Sequence, residues 1–328
     1  MKKNIFIIGS GNIGSKHVQS LTKLKKKVNI YVVDPNKKNL NRTKNIYYKN
    51  SSNKNISNIF FYSHLVKINK KIDIAIVATN SNMRKQVIEN LLSINSVKYL
   101  IIEKVAFQNI NDFKHIINLL NKKKIKCYVN FPRRLFDSYQ KLKKKIAKEK
   151  QIHLSCVGIN WGMACNSLHM LDLFKYLTNA KKILVDEISL KNKVYKSERK
   201  GFIELKGTLK FKTPNGDTLH LYDQTGDKNK ITFGGIKIEN KNFLYSIQEN
   251  FHKIVCINNK PRLKVYVRPF KFIHQSNLTN IFVNDLLNNK EIQLTKIKEA
   301  YDLHKIILEI FTKHIQKYGK NIKGCPIT

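Results

Sequence analysis

Asn4-Ile5-Phe6-Ile7-Ile8-Gly9-Ser10-Gly11-Asn12-Ile13-Gly14 decides how the first part of this chain is read. Ile5 to Ile8 is a short apolar run of strand type, and a helical pattern opens directly behind the glycines. A second apolar run, Val28 to Val33, ends on Asp34, twenty residues after Gly14. Three glycines at this spacing are weak evidence alone. Set between a strand and a helix, with an acidic residue closing the next strand, they mark a dinucleotide-binding turn. Gly9 permits the tight turn, Gly11 lets the backbone approach a pyrophosphate, and Gly14 lets the helix pack closely on the strand. The N–H groups that open the helix at Asn12 and Ile13, with the helix dipole behind them, suit the phosphates. Asp34 is placed to accept hydrogen bonds from the adenosine ribose, which favours NAD. Lys37, Lys38 and Arg42 lie close enough to keep NADP open as the alternative.

The chain has 328 residues, enough for two domains with separate cores. Hydrophobic residues make up 42% of it, which excludes a disordered chain. The apolar run at the start is too short for a signal peptide, and no run approaches the roughly 20 residues of a membrane span. A cytoplasmic protein without a membrane partner is expected. Cys127, Cys156, Cys165, Cys256 and Cys325 are odd in number and form no paired motif, so neither a disulfide framework nor a metal site is expected. The net charge of +40 would suit a nucleic-acid binder. Its basic clusters are short and scattered, however, and Lys, Asn and Ile are abundant everywhere. This points to the composition of an AT-rich genome with solvated lysines, and no nucleic-acid partner is expected.

Strand and helix patterns alternate through residue 131. Strands are expected at 4–8, 28–33, 72–78, 99–102 and 126–131, and helices near 13–25, behind Asn80, and at 110–121. Residues 36–58 are polar and carry no clear pattern. Such alternation implies a doubly wound parallel sheet, whose ligands bind beyond the carboxyl ends of its strands. Gly9, Asp34, Thr79 with Asn80, and Glu103 with Lys104 stand at such ends. The character then changes. A basic helix near 136–149 leads to a strand at 152–159 and a helix carrying His169 and Asp172. From 183 to 245 the pattern is strand-like, with turn signals at Pro214-Asn215-Gly216-Asp217, Thr225-Gly226-Asp227 and Gly234-Gly235. Helices near 276–288 and 295–316 follow. The expected fold class is α/β: an N-terminal Rossmann doubly wound parallel sheet over 1–131, then an α+β domain over 132–328. The second domain is expected to carry an open, mainly antiparallel sheet, with the last helix able to pack back on the first domain.

These residues resemble the glucose–fructose oxidoreductase / inositol dehydrogenase / MocA family of sugar and cyclitol dehydrogenases. The resemblance rests on the order and spacing of Gly9 to Gly14, Ala78-Thr79-Asn80, Glu103-Lys104-Val105, Asn130-Phe131-Pro132-Arg133-Arg134, His169-Met170-Leu171-Asp172, and Glu299-Ala300 with His304. It implies hydride transfer between a sugar carbon and nicotinamide, with Lys104 and His169 sharing the proton of the alcohol. A histidine titrates near neutral pH and can relay a proton. The resemblance also implies a cofactor site at Gly9, Gly11, Asn12, Ile13, Gly14, Asp34, Thr79, Asn80 and Glu103. The substrate is expected to be a sugar or nucleotide sugar, with a role in surface-polysaccharide assembly, and a homo-oligomer is expected through the open sheet. Arg133 and Arg134 are expected as anion contacts at the substrate.

Two departures stand out. The family usually has an aspartate four residues before the histidine, where this chain has Cys165. One helical turn puts Cys165 and His169 on one face, but a thiol cannot replace a carboxylate as charge partner. Asn166 can take part of that polar role. Val105 stands where proline is usual, and a trans peptide bond is expected there, because cis before valine costs about 3–4 kcal/mol. Besides the enzyme, two readings stay open: a non-catalytic dinucleotide-binding regulator or sensor on the same fold, and a nucleic-acid binder with a vestigial dinucleotide domain.

Overall fold

The computed structural model describes residues 2–50, 53–226, 233–259, 262–318, 322 and 324–328. The chain divides into two compact units. One comprises Met1–Pro132 with Ile273–Tyr301, and the other Arg133–Phe272 with Asp302–Thr328.

The first unit is built on β1 (Lys3–Ile8), α1 (Asn12–Leu21), β2 (Val28–Val33), α2 (Lys37–Asn50), β3 (Ile56–Tyr62), β4 (Ile72–Val77), α3 (Arg84–Ile94), β5 (Val97–Glu103), α4 (Ile110–Lys122) and β6 (Lys126–Asn130). These six strands pair in parallel in the order β6-β5-β4-β1-β2-β3. The central strands are continuous apolar runs. Ile5, Phe6, Ile7, Ile74, Ala75 and Ile76 are fully buried, as strands covered on both faces must be. The sheet order reverses between β1 and β4, which is where a doubly wound sheet opens its crevice.

In the second unit α5 (Asp137–Lys145) precedes β7 (His153–Ile159) and α6 (Met163–Thr178). There follow β8 (Leu184–Leu190), β9 (Tyr195–Lys196), β10 (Ile203–Glu204), β11 (Gly207–Lys212), β12 (Thr218–Gln224), β13 (Phe233–Asn240), β14 (Phe243–Gln248), β15 (Lys253–Asn258) and β16 (Lys264–Pro269). An eight-stranded sheet runs β16-β15-β14-β13-β7-β12-β11-β8. Its pairs are antiparallel except β7 with β12. Strand burial alternates, as in β12 and β14, so one face is packed and the other is open. After β16 the chain returns to the first unit with α7 (Thr279–Leu287) and β17 (Thr295–Lys296), which pairs antiparallel with β6. The last helix, α8 (Ile297–Gln316), begins in the first unit and continues into the second.

The fold class is the expected one. Three local readings change. Residues 36–58 hold a helix and a strand. Only Leu40, Thr43 and Tyr47 of α2 are buried, too thin a stripe to show in the sequence, and β3 is an edge strand. Gly234 and Gly235 are not a turn but lie inside β13, where a Cβ on Gly234 would stand 3.1 Å from Trp161 Cβ. Strands continue beyond 245, as β15 and β16. The turn at Pro214-Asn215-Gly216-Asp217 does join β11 to β12, with Thr213 N–H donating to Asp217 O at 2.9 Å. Asp227 of the Thr225-Gly226-Asp227 signal lies outside the described residues.

Candidate active site

Strand register sets the site of the first unit. Ile8 is level with Val33 on one side and Val77 on the other, and Val77 is level with Ile102. The residues that follow, Gly9, Asp34, Ala78-Thr79 and Glu103-Lys104, therefore emerge along one edge of the sheet. Gly9 has φ +89°, and a Cβ there would meet the Ala78–Thr79 backbone at 2.9 Å. A Cβ on Gly14 would lie 1.8 Å from Gly9 O, so helix and turn are in direct backbone contact. A Cβ on Gly11 would meet nothing within 4 Å. This glycine faces open space, and no side chain caps α1. Gly11, Asn12 and Ile13 thus form a cradle that a pyrophosphate fits.

Asp34 is nearly buried, and its carboxylate fastens the turn. It accepts from Ser10 N–H at 2.7 Å, Ser10 Oγ–H at 3.2 Å and Asn36 N–H at 2.8 Å. Arg42 reaches back from α2 and donates to Asn12 Oδ1 at 3.0 Å. Lys37 and Lys38 open α2.

Arg84 is the functional residue that sequence reading missed. It is 2% exposed and donates to the carbonyls of Thr79, Glu103, Val105 and Ala106. One guanidinium thus ties the loop after β4 to the loop after β5. Burial pulls its pKa down to about 10, with Glu103 opposing. The Lys104–Val105 peptide bond is cis, not trans as expected. The carbonyls on both sides of that bond, those of Glu103, Val105 and Ala106, are claimed by Arg84, which fixes the backbone path. Only the fold reveals this partner, because Arg84 stands alone in the sequence.

Glu103 is held from below by a polar network. Its Oε1 accepts from Asn130 Nδ2 at 2.6 Å and lies 2.9 Å from Nε2 of the fully buried His17. His17 Nδ1 meets Thr279 Oγ1 at 2.8 Å, and Gln275 bridges Thr279 and Asn130. Burial alone would raise the Glu103 carboxyl. The bonds from His17 and Asn130 and the charge of Arg84 outweigh it and hold the group below its ordinary value. Its stabilising contribution is therefore present above the ordinary carboxylate pKa and lost only as pH falls through the lower folded value. Two buried polar atoms flank Glu103 without a hydrogen-bond partner among the described residues: Thr79 Oγ1 at the end of β4 and Asn130 Oδ1 at the end of β6. The open cradle at Gly11, next to the switch point between β1 and β4, fits the pyrophosphate of a dinucleotide.

Arg84→Ala should leave four carbonyls short of a donor, and a buried unsatisfied group costs about 1–3 kcal/mol. Thermal melting should fall by at least about 6 °C, at roughly 2–4 °C per kcal/mol for a unit of this size. Differential scanning calorimetry of wild type and variant checks it.

In the second unit α6 follows Gly162, whose φ is +76°. Two carboxylates from other strands cap its first turn. Asp223 accepts from Gly162 N–H at 3.1 Å and Met163 N–H at 3.0 Å, and Glu204 accepts from Ala164 N–H at 2.9 Å. Along the first half of α6, Cys165, Asn166 and His169 are half-buried while their neighbours are buried. The Cys165 thiol donates to Thr328 O, and Asn166 Nδ2 donates to Trp161 O at 2.8 Å.

Arg133 and Arg134, expected to meet an anion, both face carboxylates of the protein. Arg134 is buried and pairs bidentately with Asp172 at 2.7 and 2.8 Å, which makes Asp172 a structural residue. Arg133 grips Glu249 at 2.9 and 2.7 Å, and Tyr139 O–H donates to the same carboxylate at 2.7 Å. Burial alone would lower the Arg133 guanidinium, but Glu249 outweighs it and raises the group above its ordinary value. Arg133 and Glu249 stand together in the wall of a cleft that Trp161, Asn166, Gln248 and Asn250 also line.

Residues 3–131 match the model of the GFO_IDH_MocA family, described as an oxidoreductase family with an NAD-binding Rossmann fold. A search of curated proteins finds no match. Solved structures resemble the chain over nearly all of its length. An oxidoreductase from Agrobacterium radiobacter, in complex with NAD+, L-tartaric acid and magnesium, is 12% identical with a TM-score of 0.68, covering 94% of each chain. The UDP-N-acetylglucosamine 3-dehydrogenase of Acidithiobacillus ferrooxidans is 12% identical with a TM-score of 0.64, covering 94% of this chain and 97% of its own. A super-repressor mutant of Gal80p from Saccharomyces cerevisiae is 13% identical with a TM-score of 0.70, covering 97% of each chain. At such identities the likeness speaks for the fold alone. Over residues 3–131 the chain is thus similar to the NAD-binding Rossmann domain of the GFO_IDH_MocA oxidoreductase family.

Proposed function

We propose that the protein is an NAD-dependent dehydrogenase or reductase acting on a secondary alcohol of a sugar or sugar derivative. The observation that carries this reading is the sheet edge on which Gly9, Asp34, Thr79 and Glu103-Lys104 emerge in register. The nicotinamide ring, when bound, supplies or takes up the hydride. Lys104 and His169 are assigned the proton of the alcohol. Thr79, Asn80 and Glu103 are assigned to the nicotinamide side of the cofactor, and Asn166 with Cys165 to the substrate. Surface-polysaccharide assembly is the proposed setting, in the cytoplasm. The open sheet face, with Val157, Ile159, Val265 and Val267 exposed, is proposed to pair with a second copy. NADH oxidation in the presence of keto sugars and keto nucleotide sugars tests the reading, and a chain that binds NADH yet turns over none of them refutes it.

Cofactor preference is expected to favour NADH over NADPH, because Asp34 repels a 2′-phosphate. Asp34→Ala should narrow the gap between the two in fluorescence titrations. Tenfold tighter NADPH binding by the wild type would show that Lys37, Lys38 or Arg42 dominates instead.

Two observations favour a second reading, a dinucleotide-binding regulator: Cys165 stands where the family has an acid, and Gal80p, a transcriptional regulator, shares the fold. NADH binding without turnover, alongside a change in oligomeric state, would select it.

A further inference from the structure

We propose that Glu249 sets the charge preference of the cleft in the second unit, so that it takes a neutral, hydroxyl-rich ring and rejects a sugar acid. This rests on the sugar-oxidoreductase reading and narrows it. Among the described lining residues there is one positive and one negative charge, Arg133 and Glu249, and these cancel. The fork that Arg133 would offer to a carboxylate, Nε–H with Nη2–H, is already closed on Glu249. Such a fork is the geometry by which arginine binds a carboxylate bidentately. Tyr139 O–H completes the coordination of Glu249 and fixes it in place.

A sugar acid entering the cleft would have to draw Arg133 off Glu249. It would then set two carboxylates side by side, where like charges repel. A neutral ring meets no such obstacle. The remaining polar wall is made of amides, Asn166, Gln248 and Asn250, and an amide both donates and accepts, as hydroxyl groups require. Trp161, Met170 and Ile236 supply apolar surface for the faces of a ring. The overall charge of +40 invites the opposite expectation, but distant surface charges are screened by salt and the groups that line the cleft are not.

The test uses the full chain saturated with NADH. Wild type, Glu249→Gln and the double variant Arg133→Gln/Glu249→Gln are titrated with glucose against glucuronate, and with galactose against galacturonate, by saturation-transfer NMR. The wild type should bind the neutral member of a pair at least about tenfold more tightly than the acid. Glu249→Gln, which exposes the Arg133 fork, should gain about tenfold or more for the acids. The double variant has no cation to offer and should show no gain. Should Glu249→Gln fail to fold, Arg133→Gln decides in its place: it leaves the Glu249 carboxylate without its cation, and its affinity for the acids must fall below that of the wild type. A wild type that binds acids as well as neutral sugars overturns the proposal. So does a folded Glu249→Gln without a gain, or a double variant that gains acid affinity, while the sugar reading survives through neutral binding. Absence of binding to every sugar, with NADH still bound, overturns the proposal and the sugar reading together.

Discussion

Gly11→Val should weaken NADH binding at least about 100-fold, because the backbone at this glycine must approach the pyrophosphate. Its conformation there, φ −61°, is open to any residue, and a Cβ would meet nothing within 4 Å. The variant should therefore melt with the wild type, and the loss should appear only in the fluorescence titration. Gly14→Ala gives the contrasting result. Its Cβ would lie 1.8 Å from Gly9 O, so strand, turn and helix must move apart. Forcing extra atoms into a packed contact costs about 1–3 kcal/mol, occasionally more, and melting should fall with it. The two glycines thus separate a binding role from a packing role. Unchanged NADH affinity in Gly11→Val would remove the cradle from the cofactor site.

The first unit was legible because its physics is local. β1, β2, β4 and β5 are apolar runs with a residue of special chemistry at each end, and covered parallel strands must read that way. The second unit was legible only in outline. Gly234 and Gly235 looked like a turn because glycine breaks strands. In the fold Gly234 makes room for Trp161, a neighbour 73 positions away that no local pattern announces. Arg133 and Arg134 looked like anion ligands for the same reason. Their partners Glu249 and Asp172 lie 116 and 38 residues further on, and nothing near the arginines signals them. Arg84 was hidden because it neutralises no side chain beside it, but collects carbonyls that only the paired loops bring together. Long-range charge pairing is the part of a site that a sequence conceals. That is why nothing near Arg133 and Arg134 announces Glu249 and Asp172.

Lys104→Ala and His169→Ala should each lower turnover by about 10²–10⁴-fold, the usual worth of a positioned acid or base. Cofactor affinity should change less than about threefold, because neither residue belongs to the glycine cradle that holds the pyrophosphate. The two positions are built differently, and the variants should report that. Lys104 stands in a loop whose backbone is clamped on both sides by Arg84, so Lys104→Arg keeps the charge but not the reach and should stay impaired. His169 stands nearly two turns inside a helix whose start is held by Asp223 and Glu204. His169→Gln should fold normally and lose the rate, together with the pH dependence that an imidazole contributes near neutrality. Cys165→Ser should be milder than either, since the thiol donates to Thr328 O and is assigned no proton of the reaction. The measurement is the pH profile of turnover for each variant. If His169→Gln keeps both the wild-type rate and its profile, proton transfer does not pass through His169, and the catalytic assignment in the second unit falls.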